Sequence, residues 1–271
     1  MTSETPHVMG VVNVTPDSFS DGGQFIDADA ALSHALQLAA DGADIIDVGG
    51  ESTRPGADRV TPAEEQRRVL PLVRALAGRD IAVSVDTMNA ETAARAVHEG
   101  AVIVNDVSGG LADAGMAAAI ASTPAIFVIG HWRTHSATMN AFADYDDVVT
   151  EVRDELSKRV DDARAAGISG DRIVLDPGLG FSKNGSHNWE LLARLDELLE
   201  LGYPVLVGTS RKRFLGALLP DDAPMTERDL PTAVTSVLAA QAGAWGVRVH
   251  DASATRLALD TWRAWQSGRR G

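Results

Sequence analysis

Short apolar runs rich in β-branched residues recur along the whole chain, at 8–12, 45–48, 82–85, 102–104, 125–129, 173–175, 205–207 and 247–249. None alternates cleanly between apolar and polar residues. Each therefore has the composition of a strand buried on both faces, as in a parallel sheet. Between the runs lie Ala-rich amphipathic segments at about 28–40, 62–77, 90–99, 114–121, 145–166, 188–201, 230–242 and 254–265. Gly42, Gly100, Gly167, Gly202 and Gly243 follow such segments, where a glycine suits a left-handed helix cap. Thr61-Pro62-Ala63-Glu64 has the form of a capping box with Pro at the first helical position. Strand and helix thus alternate from one end to the other, which predicts a parallel sheet with helices outside it. Eight such units in 271 residues match a closed (β/α)8 TIM barrel, of the α/β class, better than an open doubly wound sheet. No linker, low-complexity tract or composition break appears, so a single domain over 1–271 is expected.

The charge balance narrows the function. The chain carries 24 Lys and Arg against 38 Asp and Glu, a formal net charge of -14. That argues against a nucleic-acid or membrane-surface binder, whose footprint is basic. An anionic ligand would have to meet a local cluster of cations. The chain has no cysteine, which excludes disulfides, thiolate metal sites and Cys nucleophiles. Residues 1–6 show no basic and apolar leader, and no apolar run approaches the ~18 residues of a membrane span, so a cytoplasmic protein is expected.

The chemistry lies just past the strands. The first run ends in the long polar loop Asn13-Val14-Thr15-Pro16-Asp17-Ser18-Phe19-Ser20-Asp21-Gly22-Gly23. Later runs end in Glu51-Ser52-Thr53-Arg54-Pro55-Gly56, Asp86, Asn105-Asp106, His131, Asp176, Ser210-Arg211-Lys212 and Arg248-Val249-His250-Asp251. The opposite ends carry plain turns such as Asp41-Gly42-Ala43. In a barrel of this type the C-terminal ends of the strands form the active-site face, so the asymmetry points to an enzyme. Asp86, Asn105 and Asp176 suit a flat heterocycle with an amidine-like edge, since a carboxylate accepts paired N–H donors and an Asn offers both a donor and an acceptor. The two Asp could equally serve as metal ligands or as an acid–base couple. Arg54, Lys212, Arg248 and His250 make a cationic set near the usual phosphate site of the fold. A solvated basic run is the plainer reading of Arg211-Lys212-Arg213, but a charge inside an apolar strand, as at Arg248, is costly if idle. Lys212 is also a conceivable Schiff-base lysine. Trp132, Trp189, Trp245, Trp262 and Trp265 read as packing residues, Asp161-Asp162 and Asp221-Asp222 as solvated surface, and His98 and His187 as exposed and idle.

Taken together these segments resemble one family, the dihydropteroate synthases of the folate pathway. The resemblance is carried by the loop 13–23, by Asp47-Val48-Gly49-Gly50-Glu51-Ser52-Thr53-Arg54-Pro55-Gly56 and by Ser84-Val85-Asp86-Thr87. It continues through Ile103-Val104-Asn105-Asp106-Val107-Ser108-Gly109-Gly110, Asp176-Pro177-Gly178-Leu179-Gly180-Phe181, Gly208 to Gly216 and Val247 to Asp251. It implies joining of 6-hydroxymethyl-7,8-dihydropterin diphosphate to 4-aminobenzoate, with sulfonamides as aminobenzoate mimics. By resemblance Asp86, Asn105, Asp176 and Lys212 hold the pterin, and Arg248 stacks on it and reaches the diphosphate. Asn13 holds a Mg2+ that rides on the diphosphate, and Arg54 and His250 complete the anion site. Phe19, Thr53, Pro55, Phe181 and Ser210 enclose the aminobenzoate. A homodimer through the late outer helices is also implied. His131-Trp132-Arg133 departs from the commoner His-Met pattern, and no catalytic role is assigned there. The rival readings are a pterin-binding barrel that transfers methyl from methyltetrahydrofolate to a corrinoid protein, and a non-catalytic pterin-binding homologue.

Overall fold

The computed structural model describes residues 5–14, 24–51, 60–134 and 139–268, with the side chains of 24–27, 139 and 140 left aside. Eight parallel strands form one sheet: β1 (His7–Asn13), β2 (Ile45–Gly49), β3 (Ala82–Asp86), β4 (Ile103–Asp106), β5 (Ile126–Gly130), β6 (Ile173–Asp176), β7 (Leu206–Val207) and β8 (Gly246–Val249). Their spatial order is β6-β5-β4-β3-β2-β1-β8-β7. A parallel bridge between Leu175 and Val205 joins β6 to the start of β7 and closes the ring. The TIM barrel expected from the alternation is therefore present.

The helices are α1 (Gln24–Ala40), α2 (Pro62–Ala77), α3 (Ala90–His98), α4 (Met116–Ala121), α5 (Val148–Ala165), α6 (Gly185–Ala193), α7 (Leu195–Leu199), α8 (Arg213–Gly216), α9 (Asp229–Ala242) and α10 (Ala252–Ser267). Two differences from the sequence reading have identifiable causes. The single helix expected over 188–201 is broken at Arg194, whose backbone leaves the helical region at φ -116°, ψ 36°. Its guanidinium is drawn to Asp147, Glu190 and Glu197. The box at Thr61 is half formed. Thr61 accepts from the Glu64 N–H, but the Glu64 carboxylate is taken by Arg67 and Arg68 instead of turning back. Gly42, Gly100, Gly167, Gly202 and Gly243 all have positive φ, as their capping positions require.

The two-residue period of the strands sorts their side chains. One set points outward and meets the helices, with Val8, Val12, Ile46, Val48, Val83, Val85, Phe127 and Ile129 almost fully buried in the main core. Each such side chain contributes ~1.5–3 kcal/mol on burial. The other set points into the barrel. At the bottom Met9, Ile45, Ile103, Val128, Val174 and Leu206 make a separate apolar plug, with Ala82 and Trp245 packed on it. Two residues further along the same phase the chemistry changes. The inward positions become Asp47, Ser84, Asn105, Asp176, Gly208 and Arg248, and after them Asn13, Asp86 and His250. Register places Asn13, Gly49, Asp86 and Asn105 side by side across four strands. The plug is thus the floor on which a polar rim stands.

Trp265 does not pack as expected: it is 71% exposed on α10. His187 is engaged, not idle, since its ring completes a capping box with Asn184 and meets Tyr145 edge-on.

Candidate functional site

An open pocket lies at the C-terminal ends of the strands, lined by Asp86, Asn105, Asp176, Phe181, Ser210, Lys212, Arg248 and His250 among others. These residues come from five strand ends and their loops, separated by up to 164 positions in the chain (His250 − Asp86). Among the described residues, every polar side chain expected to hold a bicycle or its anionic tail faces this pocket, with Asn13 beside it.

Arg248 organises one wall. Its Nε donates to Asp47 Oδ2 at 2.6 Å, and a terminal N–H donates to Asp86 Oδ2 at 2.7 Å. Asn105 Nδ2 donates to the same Asp47 oxygen at 3.1 Å. Asp47 is fully buried, and its Oδ1 has no hydrogen-bond partner among the described residues. Burial opposes the charge on Arg248, but Asp47 and Asp86 outweigh it and keep the guanidinium protonated. Asp86 is pushed up to about 7, chiefly by burial; Arg248 pulls it down, while Asp47 and Glu65 add to the rise. A carboxylate poised there can take a pair of N–H donors in exchange for the Arg248 contact.

Lys212 organises the other wall. A Cβ placed on Gly208 would lie 3.8 Å from Arg248 Cβ, 3.9 Å from Asp176 Oδ2 and 4.0 Å from Lys212 Nζ. These are ordinary van der Waals distances, and they place all three groups around the space above Gly208. Lys212 Nζ donates to the Leu179 carbonyl and lies 4.9 Å from the centroid of the Phe181 ring. Burial brings its pKa down to about 8, with Asp176 opposing and Arg248 assisting. Asp176 Oδ1 accepts from the Gly178 N–H at 2.7 Å, which fixes the carboxylate. Ser210 Oγ lies 2.9 Å from His250 Nδ1 and accepts from the His250 N–H at 3.0 Å, tying the ends of β7 and β8 together. The basic run divides: Arg211 is gripped by Asp229 through both carboxylate oxygens, Lys212 enters the pocket and Arg213 is exposed.

Asn13 ends β1 at the same rim. A Cβ on neighbouring Gly49 would come 3.3 Å from Asn13 Oδ1 and 3.7 Å from Asp86 Oδ2. Among the described residues no cluster of three His, Asp or Glu side chains could cage a metal. What Asn13 offers is a single hard oxygen. That fits Mg2+, which keeps waters and substrate phosphate oxygens in its shell, and does not fit a protein-enclosed ion. Phe19, Thr53, Arg54 and Pro55 lie outside the described residues.

Sequence reasoning missed Asp47. It stands inside β2, not past the end of a strand. The available signal was a lone carboxylate within an apolar strand, the argument already applied to Arg248. His131 is buried and is not among the residues that line the pocket.

A family model described as "Pterin binding enzyme" matches residues 9–250. The chain belongs to the pterin-binding enzymes. Within that family it is 53% identical to the dihydropteroate synthase of Mycobacterium leprae over 95% of this chain and 93% of the relative. The dihydropteroate synthase of Xanthomonas albilineans, solved with 4-aminobenzoic acid, superposes with a TM-score of 0.91 at 44% identity, covering 98% of this chain and 95% of that one. A second structure of the Xanthomonas enzyme, in complex with 7,8-dihydropteroate, superposes at 0.88 with 42% identity, covering 98% and 95%. No helix among the described residues is long and apolar enough to cross a membrane.

Proposed function

We propose that this pterin-binding enzyme is a transferase that joins 6-hydroxymethyl-7,8-dihydropterin diphosphate to 4-aminobenzoate, giving 7,8-dihydropteroate and diphosphate. The observation that carries the reading is the convergence of Asp86, Asn105, Asp176, Lys212 and Arg248 on one pocket, in a chain that matches dihydropteroate synthases nearly end to end.

In this reading the acidic and amide groups take the edge of the bicycle. The Asp86 and Asp176 carboxylates accept its N–H donors, Asn105 supplies one donor and one acceptor, and Lys212 donates to a ring acceptor. Arg248 leaves Asp86, lies on the bicycle and reaches the diphosphate, with His250 and Arg54 completing the anion site. A Mg2+ held by Asn13 Oδ1 would add positive charge to the leaving diphosphate. No nucleophile with a partner base is required. The bond between the pterin methylene carbon and the diphosphate oxygen breaks with both electrons leaving on oxygen, and the ring delocalises the cation left behind. Cations aimed at the departing oxygen stabilise that step, each such contact being worth ~3 kcal/mol. The aminobenzoate nitrogen then bonds to the methylene carbon and sheds a proton. Phe19, Thr53, Pro55, Phe181 and Ser210 would enclose the second substrate and keep water from the cation.

The same reading includes a homodimer. Leu230, Val234 and Leu238 form an exposed apolar row at four-residue spacing on α9, and Leu257 and Trp265 stand exposed on the adjoining α10. A row of this kind is usual at a subunit contact.

Incubation with both substrates and Mg2+, with diphosphate and the product mass followed together, tests the assignment. Release of diphosphate that needs aminobenzoate, with dihydropteroate formed in equal amount, supports it. Pterin binding with no product would favour the non-catalytic homologue. The corrinoid methyltransferase alternative is not favoured by the relatives.

A further inference from the structure

Lys183 follows β6 in a loop, where a lysine is ordinarily solvated, yet it is only 7% exposed. Its Nζ lies 2.8 Å from His131 Nδ1, 3.1 Å from the Gly178 carbonyl and 3.1 Å from the Phe181 carbonyl. On its other side the His131 ring meets Glu155, with Nε2 to Oε2 at 2.9 Å. Burial and the neighbouring Lys183 hold His131 down to about 4, so the ring is neutral near pH 7. A neutral ring facing a carboxylate through Nε2 carries its proton there, which leaves Nδ1 as an acceptor. Lys183 must then donate to all three neighbours, and three donors are what an ammonium has. Burial and the neighbouring Lys212 hold its pKa well below the ordinary lysine value, with Asp176 and Glu155 opposing the fall, so it is the three contacts that favour the charged form.

The gripped loop turns tightly, and one of its left-handed residues, Ser182, is not a glycine. Gly178, Gly180 and Ser182 have φ of 63°, 79° and 48°, three left-handed residues within five. The same loop carries the Leu179 carbonyl that receives Lys212 and the Phe181 ring beneath it. We propose that Lys183 is a positioning residue: by clamping the Gly178 and Phe181 carbonyls it fixes the loop that presents Phe181 to the aminobenzoate and Leu179 to Lys212. This deepens the functional reading above and rests on it, through the part given to Phe181.

The test is steady-state kinetics of the full chain with Lys183→Met, Phe181→Ala and the double variant, each checked for a cooperative melting transition. Lys183→Met should raise the aminobenzoate KM at least roughly tenfold with a smaller change in kcat, since a small misplacement of a binding wall suffices for such a loss. The double variant should be within roughly threefold of Phe181→Ala alone, because both changes remove one arrangement. Losses that multiply, or an unchanged KM, would overturn the proposal. If Lys183→Met does not fold, Lys183→Gln decides, since its amide keeps a donor for the carbonyls. A folded Gln variant with KM near wild type supports the clamp, and a displaced KM or an unfolded chain rejects it. A wild-type chain without aminobenzoate-dependent diphosphate release would instead reject the functional reading, and the clamp with it.

Discussion

Arg248 spans two carboxylates at the base of the pocket. Asp47 accepts its Nε and Asp86 a terminal N–H, at 2.6 and 2.7 Å. Removing one partner of such a group is more damaging than replacing the whole set, because the remaining charge keeps its desolvation cost. Arg248→Ala should therefore lower kcat/KM for the pterin substrate at least roughly tenfold, and it should also destabilise the fold. The second effect carries a pH signature. Asp86 already sits near 7 with Arg248 beside it, and Arg248 is the group that pulls it down. Without the arginine its pKa rises further above the unfolded value. A carboxyl raised in this way stabilises the folded state at low pH, and that contribution is lost as pH climbs through the folded pKa. Urea unfolding should thus show a larger deficit, relative to wild type, at pH 8 than at pH 6. An equal deficit at both would mean that Asp86 does not carry the uncompensated charge.

The strands and the loops between them were legible to different degrees. Every strand was visible, because β-branched apolar runs bounded by glycine and polar residues are local features. Asn105, Asp176, Lys212 and Arg248 were visible for the same reason, as polar groups at the ends of such runs. What sequence could not reveal depended on distant partners. The break at Arg194 has local partners in Glu190 and Glu197, but the third, Asp147 at the N-terminus of α5, lies 47 positions earlier. Lys183 is buried because His131, 52 positions earlier, comes to meet it. The inward phase of β2, which makes Asp47 part of the site, is known only once the register with β1 and β3 is known. At this scale the loop after β6 gives the sharpest prediction. Gly178 has φ 63°, and a Cβ on it would collide with the His131 carbonyl oxygen. Gly178→Ala should cost more than the ~1 kcal/mol of a tolerated change, and should reduce turnover in the fraction that folds. Denaturant unfolding beside kinetic assay measures both. Wild-type behaviour in the two would show that the strained loop does not shape the pocket.

At the scale of the molecule, the barrel gathers Lys212 and Arg248 at one rim of a chain of net charge -14, and in the proposed reading they serve the diphosphate. Asp47, Asp86 and Asp176 stand beside these cations at the rim, while the helices lie outside the sheet. Those helices also hold the proposed subunit contact. Leu238→Glu should turn a dimer into a monomer in sedimentation, since a charge placed in the middle of an apolar row cannot be buried unpaired. A wild-type chain that sediments as a monomer would remove the dimer from the account.

The proposed function requires one arrangement: a bicycle held by its edge at the mouth of the barrel, with its diphosphate turned toward the cations. A crystal structure of the chain with the pterin diphosphate measures this directly. The bicycle should lie between Asp86, Asn105 and Asp176, with Lys212 on a ring acceptor and Arg248 swung off Asp86 toward the phosphates. A bicycle bound elsewhere, or one seated in the mouth with Arg248 still closed on Asp86, would contradict it.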